Sequence, residues 1–193
     1  DTLTNNEIKL MQEDFSLPTM PVKMAGCQEM ELRQSLCDFA KRGYSQRLII
    51  STEGTLSVRL DKDSFLITPR GMDRFSLRPE DIVLIRGGKA EEGKRHSKAA
   101  KLHGAVYRNH PHINAIINAV PINVTSFAVT DPSKFNSRVI PESYILLRDV
   151  PVCPYGKTLI DEEAVSKMLS KETPMILVKN DGLMVTGGSL LEA

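Results

Sequence analysis

The sequence predicts an α/β fold in which a mixed or antiparallel-rich sheet is covered by helices. Strand-like and helix-like segments alternate along the chain, and two hairpins, turning at 61–64 and at 180–182, interrupt any simple βαβ series. With 41% hydrophobic and 25% charged side chains, 193 residues can also bury an ordinary globular core.

The elements follow in order. Residues 1–26 hold Pro18 and Pro21 among mixed polar residues without sustained periodicity, which predicts an arm or linker before a domain over 27–193. From Gln28 the pattern changes: Leu32, Leu36, Phe39 and Ala40 recur at helical spacing, and Gly43 follows Lys41 and Arg42, so an amphipathic helix with a C-terminal stop is expected. Short β-prone runs come next at 48–51, 56–60 and 65–68. Residues 82–85 add a strand closed by Gly87 and Gly88, and 89–96 read as a charged loop. Ala99, Leu102 and Val106 share a helical face with Ser97 as N-cap. A strand at 113–119, a helix at 121–129, a strand at 144–147 and a helix at 161–170 with acids in its first turn follow. The chain closes on a hairpin of 175–179 and 183–186, then Gly187, Gly188 and a helix start at Ser189.

Composition excludes several functions. Lys and Arg number 25 against 24 Asp and Glu, a net charge of +1, and there are no Trp, 4 Tyr and 6 Phe. A nucleic-acid module needs a basic field and stacking platforms, so no nucleic-acid partner is expected. The longest apolar runs, such as 115–120 broken by Asn118, fall far short of the roughly 18 to 20 residues that span a bilayer, so no membrane partner is expected either. Residues 1–14 lack a basic region followed by an apolar stretch, and a cytoplasmic location is the expectation. Cys27, Cys37 and Cys153 are odd in number and widely spaced, which suits buried apolar side chains rather than a disulfide framework or a metal pair.

Candidate chemistry is sparse. Gly156-Lys157-Thr158 resembles the tail of a phosphate loop, but that motif needs a glycine where Pro151 stands. His110-Pro111-His112 reads as a surface turn, and His103, next to core Leu102, as a hydrogen-bonded structural histidine. Three segments remain: 54–59 and 67–71, turns with small hydroxyl and basic residues, and 95–98 at a predicted helix N-terminus. Each offers backbone N–H groups or hydroxyls to an anion.

The order of these pieces resembles the class II aldolase/adducin family. G-T-L-S-V-R at 54–59, I-T-P-R-G at 67–71, D-I-V-L-I at 81–85 and G-K-A-E-E-G-K at 88–94 carry the first half of the match. Ser97 with L-H-G-A-V-Y at 102–107, the apolar strand at 113–119, V-P-V-C-P-Y at 150–155 and N-D-G at 180–182 carry the second, so the register holds over 28–193. The resemblance implies a three-layer α/β/α domain with a mixed, mainly antiparallel central sheet. It also implies a homo-oligomer, commonly a tetramer with sites at subunit interfaces, a terminal helix beyond 193, and room for a fused neighbouring domain.

At the family's three zinc-histidine positions this chain has Asn118, Val120 and Asp181, and at the acid/base glutamate it has Ala99. The expected cofactor is therefore none, zinc included. The family's phosphate contacts map to Thr55, Arg70, Gly71, Ser97 and Lys98, where Arg70 and Lys98 are cations at neutral family positions. The leading expectation is a family domain without the zinc site that binds a small anionic, phosphorylated-sugar-like ligand or serves in oligomerisation. The adducin head domain is the family precedent for such non-catalytic use. The second is a divergent sugar-phosphate lyase or isomerase using another metal or a non-metal acid/base. Asp181 is its first candidate, with Asn118, His96 or His103 in new roles.

Overall fold

In the computed structural model, which describes residues 4–13 and 15–193, alternation of side chains along the strands divides the core between two faces of one sheet. The elements are α1 (Asn5–Gln12), β1 (Thr19–Met20), α2 (Cys27–Ser45), β2 (Thr55–Arg59), β3 (Ser64–Ile67), β4 (Val83–Arg86), β5 (Lys89–Glu91) and α3 (Ala100–Asn109). They continue with β6 (Ala115–Ala119), α4 (Ile122–Val129), α5 (Pro141–Leu147), β7 (Val152–Cys153), α6 (Lys157–Ile160), α7 (Glu162–Ser166), β8 (Met175–Val178) and β9 (Gly182–Gly187). Among the described residues the strands form a nine-stranded sheet in the order β1-β5-β4-β3-β2-β6-β9-β8-β7. Only the outermost pairs, β1 with β5 and β7 with β8, are parallel. The fold is thus a mixed α/β one with a mostly antiparallel centre.

Leu66, Leu84 and Ala115 point to the face covered by Leu36, Cys37 and Ala40 of α2. Phe65, Ile67, Val83, Ile85 and Ile116 point to the other, covered by Ala100, Leu102 and Val106 of α3 and by Val165 of α7. Burying both faces under helices makes three layers. Buried Arg33 pins α2 to the sheet: its guanidinium donates to Glu29, to Glu91 at 3.0 Å, and to the carbonyls of Pro79 and Ile82. No helix among the described residues is long and apolar enough to cross a membrane.

Several elements differ from expectation. Residues 48–51 are a turn, not a strand, with Arg47 and Ser51 at positive φ; Ile49 is apolar because it plugs the core beneath Gly54. The charged loop at 89–96 contains β5, paired through the tight Gly87-Gly88 turn so that Arg86 faces Lys89. Residues 144–147 end α5 rather than forming a strand, because Pro141 starts a helix and its apolar side chains, such as Leu146 at 71% exposure, are left outside the core. Ser97 is not the N-cap of α3; Ala99 is. The helix expected over 161–170 is α7, ended at Ser166, with Asp161 capping it by accepting from Ala164 N–H. At Ser189 there is a turn, closed by Ala193 N–H on Ser189 C=O, and no helix. The arm expected over 1–26 carries α1 and β1 where it is described, β1 extending the sheet; Asp1, Thr2, Leu3 and Asp14 lie outside the described residues.

Candidate functional site

The site forms where four chain reversals meet at one end of the central strands. The turn before β2 requires glycine at 54: its φ is +85°, and a Cβ would lie 2.4 Å from Ile49 Cγ2. After β3, the chain from Pro69 runs beside His96 as an isolated antiparallel bridge, with Arg70 N–H donating to Arg95 C=O at 2.9 Å, so 69–71 and 95–98 lie side by side. The C-terminal end of β6 lies between β2 and β9, Asn118 facing Thr55 and Ala119 facing Leu183. The β8–β9 reversal then sets Asp181 alongside, with its N–H on Val178 C=O.

Together these segments enclose a cleft of about 440 Å³. Thr55, Arg70, Gly71, Ser97 and Lys98 line it on one side. Asn118, Val120, Asp181 and Ala99 line it as well, so the positions that match the family's metal, acid/base and phosphate residues face the same space. Thr55 Oγ1 and Ser97 Oγ share a hydrogen bond at 2.8 Å, and Ser97 Oγ also accepts from Ala99 N–H at 3.3 Å. Both hydroxyls are therefore held at the N-terminal approach to α3, where the helix dipole favours negative charge. Arg70, Arg74 and Lys98 bring three cations to a cleft that also holds the carboxylates of Glu53 and Asp181.

Behind Asn118 lies a buried polar chain. His103 Nε2–H donates to Asn118 Oδ1 at 3.1 Å, which leaves Nδ1 with the lone pair, and the Ser57 hydroxyl donates to it at 2.7 Å. Ser57 Oγ in turn accepts from the Tyr107 hydroxyl at 2.8 Å. Burial holds the His103 pKa down at about 4, against the opposing bond to Asn118, and pushes the Tyr107 phenol up. His103 is thus the hydrogen-bonded structural histidine expected of it. His96 takes no place in the cleft: Nε2 accepts from Leu17 N–H at 3.0 Å and Nδ1 donates to Ser97 C=O, which ties the arm to this loop.

Glu53, Arg74, Tyr155 and Thr158 line the cleft too. Tyr155 closes the 150–155 motif, and Thr158 belongs to the segment set aside for lacking the phosphate-loop spacing. No local signal marks Glu53 or Arg74.

Asp181 sits on an exposed turn that opens into the cleft, yet surrounding protein desolvates its carboxyl and the Glu53 charge adds to the effect, raising its pKa. A carboxyl raised in the folded state favours folding in its protonated form, and that contribution is lost as pH rises through the folded pKa. Asp181→Asn is accordingly expected to stabilise the protein near pH 7 and to be nearly neutral near pH 3. Denaturant unfolding at both values checks this, and an equal difference at the two would refute it.

Comparison with known proteins agrees with this fold. The family model described as class II aldolase and adducin N-terminal domain matches residues 34–193. The chain is 33% identical over 162 residues to the 3-oxo-tetronate 4-phosphate decarboxylase of Haemophilus influenzae, covering 80% of this chain and 74% of that one. It is 32% identical over 154 residues to the L-fuculose phosphate aldolase of Methanococcus vannielii, covering 78% and 81%. Among solved structures, YgbL from Escherichia coli superposes with a TM-score of 0.75 at 25% identity, covering 86% of this chain and 82% of that one. The L-fuculose-1-phosphate aldolase of Thermus thermophilus superposes at 0.71 with 27% identity, covering 82% and 80%. Matched by that family model over most of its length, the chain belongs to the class II aldolase and adducin N-terminal domain family.

Proposed function

We propose that the cleft binds a small phosphorylated sugar or sugar acid through its phosphate, and does so without the family's three-imidazole metal centre. The observation that carries this reading is the convergence of Thr55, Ser97, Arg70 and Lys98 on one cleft: hydroxyls and cations are the donors a phosphate recruits. The names of the decarboxylase and aldolase relatives each include a phosphate ester, which supports the same choice of ligand.

The residues at the family's metal positions do not fit zinc. Val120 has no donor atom, and Asn118 Oδ1 already accepts from His103. That leaves the single carboxylate of Asp181, and among the described residues no group of three His, Cys, Asp or Glu side chains could hold a metal. A zinc site draws three or four nitrogen, sulfur or carboxylate ligands.

Titration calorimetry with L-fuculose 1-phosphate, L-fuculose and inorganic phosphate tests the reading. The two phosphates are expected to bind, the free sugar at least about tenfold more weakly, and Arg70→Ala to lower phosphate affinity by roughly 10- to 100-fold, the worth of one charge-assisted contact. Chelator treatment is expected to leave binding unchanged. Equal affinity for the free sugar, or loss of binding after chelation, would refute it.

A lyase or isomerase reaction is the second reading, favoured by the raised pKa of Asp181 at the cleft. It predicts turnover of a sugar phosphate that Asp181→Asn removes while phosphate affinity is kept. Homo-oligomerisation belongs to the same proposal, supported by the apolar side chains that α4 and α5 expose, Ile122, Phe127, Ile145 and Leu146 among them.

A further inference from the structure

We propose that Arg74 is the buried cation of the cleft: two of its nitrogens strap together the loops that carry the phosphate-side residues, and the third, Nη2, is offered to the bound oxyanion. The proposal rests on the phosphate-binding reading above and adds to it a ligand that no motif supplies.

Arg74 is only 2% exposed, yet it lines the cleft. Its Nε donates to Gly54 C=O at 2.9 Å, and its Nη1 to Pro69 C=O at 2.8 Å and to Met72 C=O at 3.0 Å. Its own backbone N–H donates to Ser51 C=O at 2.9 Å. One side chain therefore fixes the turn before β2, which leads into Thr55, to the turn after β3, which carries Arg70 and Gly71. These carbonyls lie in segments about 15 to 20 residues apart in sequence, and the planar guanidinium fork reaches both at once.

A guanidinium has five N–H groups, and the bonds to Gly54, Pro69 and Met72 use those of Nε and Nη1. Among the described residues, nothing accepts from Nη2. Nη2 is not among the fully buried atoms that lack a partner, so it keeps a small opening, and on the wall of a cleft that opening meets what enters the cleft. Glu53 and Asp73 act on the guanidinium by charge but accept no hydrogen bond from it, so the Nη2–H groups are left for a ligand. A phosphate-type oxyanion supplies acceptors for that pair of N–H groups.

Two measurements test this, both with inorganic phosphate as probe. In the wild-type protein, the buried guanidinium's Nη2–H resonances are expected to shift as phosphate saturates the cleft; a purely structural brace would leave them still. In calorimetry, Arg74→Lys, which keeps the charge and loses the fork, is expected to weaken phosphate binding by about tenfold or more. Adding methylguanidinium to Arg74→Gly is expected to restore part of the loss. If wild type binds phosphate while the Nη2–H signals stay fixed, or if Arg74→Lys binds as wild type does, the inference is overturned and the phosphate reading stands. If wild type binds no phosphate, both fall.

Discussion

Between pH 7 and pH 4 the protein is expected to lose up to about 3 kcal/mol of unfolding free energy through His103 alone. Its imidazole is fully buried and holds a pKa of about 4, against an ordinary 6.5. The unfolded chain thus takes up a proton that the folded chain refuses, and the gap is worth about 3 kcal/mol. The sign follows from the depressed value: the stability is fully present above 6.5 and drains away as pH falls through 6.5 toward 4. Refusal has a structural cause. A proton on Nδ1 would make it a second donor to Ser57 Oγ, which already accepts from Tyr107, so the Ser57 proton would lose its acceptor while burial leaves the new charge unsolvated. Asp181, with a raised pKa, works in the opposite sense, so the contribution of His103 is read as a difference between proteins. Denaturant unfolding of wild type and His103→Gln over pH 7 to 4 makes the measurement. The variant is expected to be less stable at pH 7 and to close the gap as pH falls; a gap that stays constant would assign the acid sensitivity elsewhere. Because Nε2–H holds Asn118 Oδ1, phosphate affinity is also expected to fall in the variant at pH 7.

The central strands were legible because two independent signals mark them, runs of β-prone apolar residues and the turn residues that bound them. Residues 180–182 read as a hairpin turn, and Asn180 indeed adopts φ +57° between β8 and β9. Where only one signal was available, it misled. The 48–51 run is apolar because Ile49 fills a hole under a glycine, and a short apolar run carries no mark that separates a plug from a strand. In α5 the β-prone look of Tyr144 and Ile145 outweighed Pro141, the better indicator, three residues earlier. Strand β1 stands at the sheet edge with β5 beside it, both are short and carry polar residues, and their pairing is a tertiary event that neither segment announces.

The cleft divides along a similar line. Thr55, Arg70, Ser97, Asn118 and Asp181 stand at strand ends and turns within ordered motifs, so the resemblance alone was enough to name them. Glu53 and Arg74 were out of reach: Arg74 matters through three carbonyls, and nothing in a sequence states which carbonyls a buried guanidinium will meet. His96 failed for the converse reason, since its position beside Ser97 suggested the cleft while its ring turns to Leu17.

Gly182→Ala is expected to cost about 3 kcal/mol or more, lowering the melting temperature by roughly 6 to 12 °C for a chain of this size. The cost is steric: a Cβ at 182 would stand 2.4 Å from the Ala119 carbonyl oxygen and 3.2 Å from Val120 Cγ1. Backbone cannot swing aside as a side chain can, so β9 must move away from β6 and strain the Ala119–Leu183 pairing. That movement also displaces Asp181 from Asn118 and Val120, and phosphate affinity is expected to fall with stability. Gly87→Ala is the informative contrast. Gly87 has φ +53° but nothing within 4 Å of its would-be Cβ, so only the left-handed backbone is penalised, by about 1 kcal/mol, and its hairpin touches no part of the cleft. Thermal unfolding and phosphate titration of the two variants separate the causes. If Gly182→Ala proves no more damaging than Gly87→Ala, the close approach of β6 and β9 is not what requires glycine at 182.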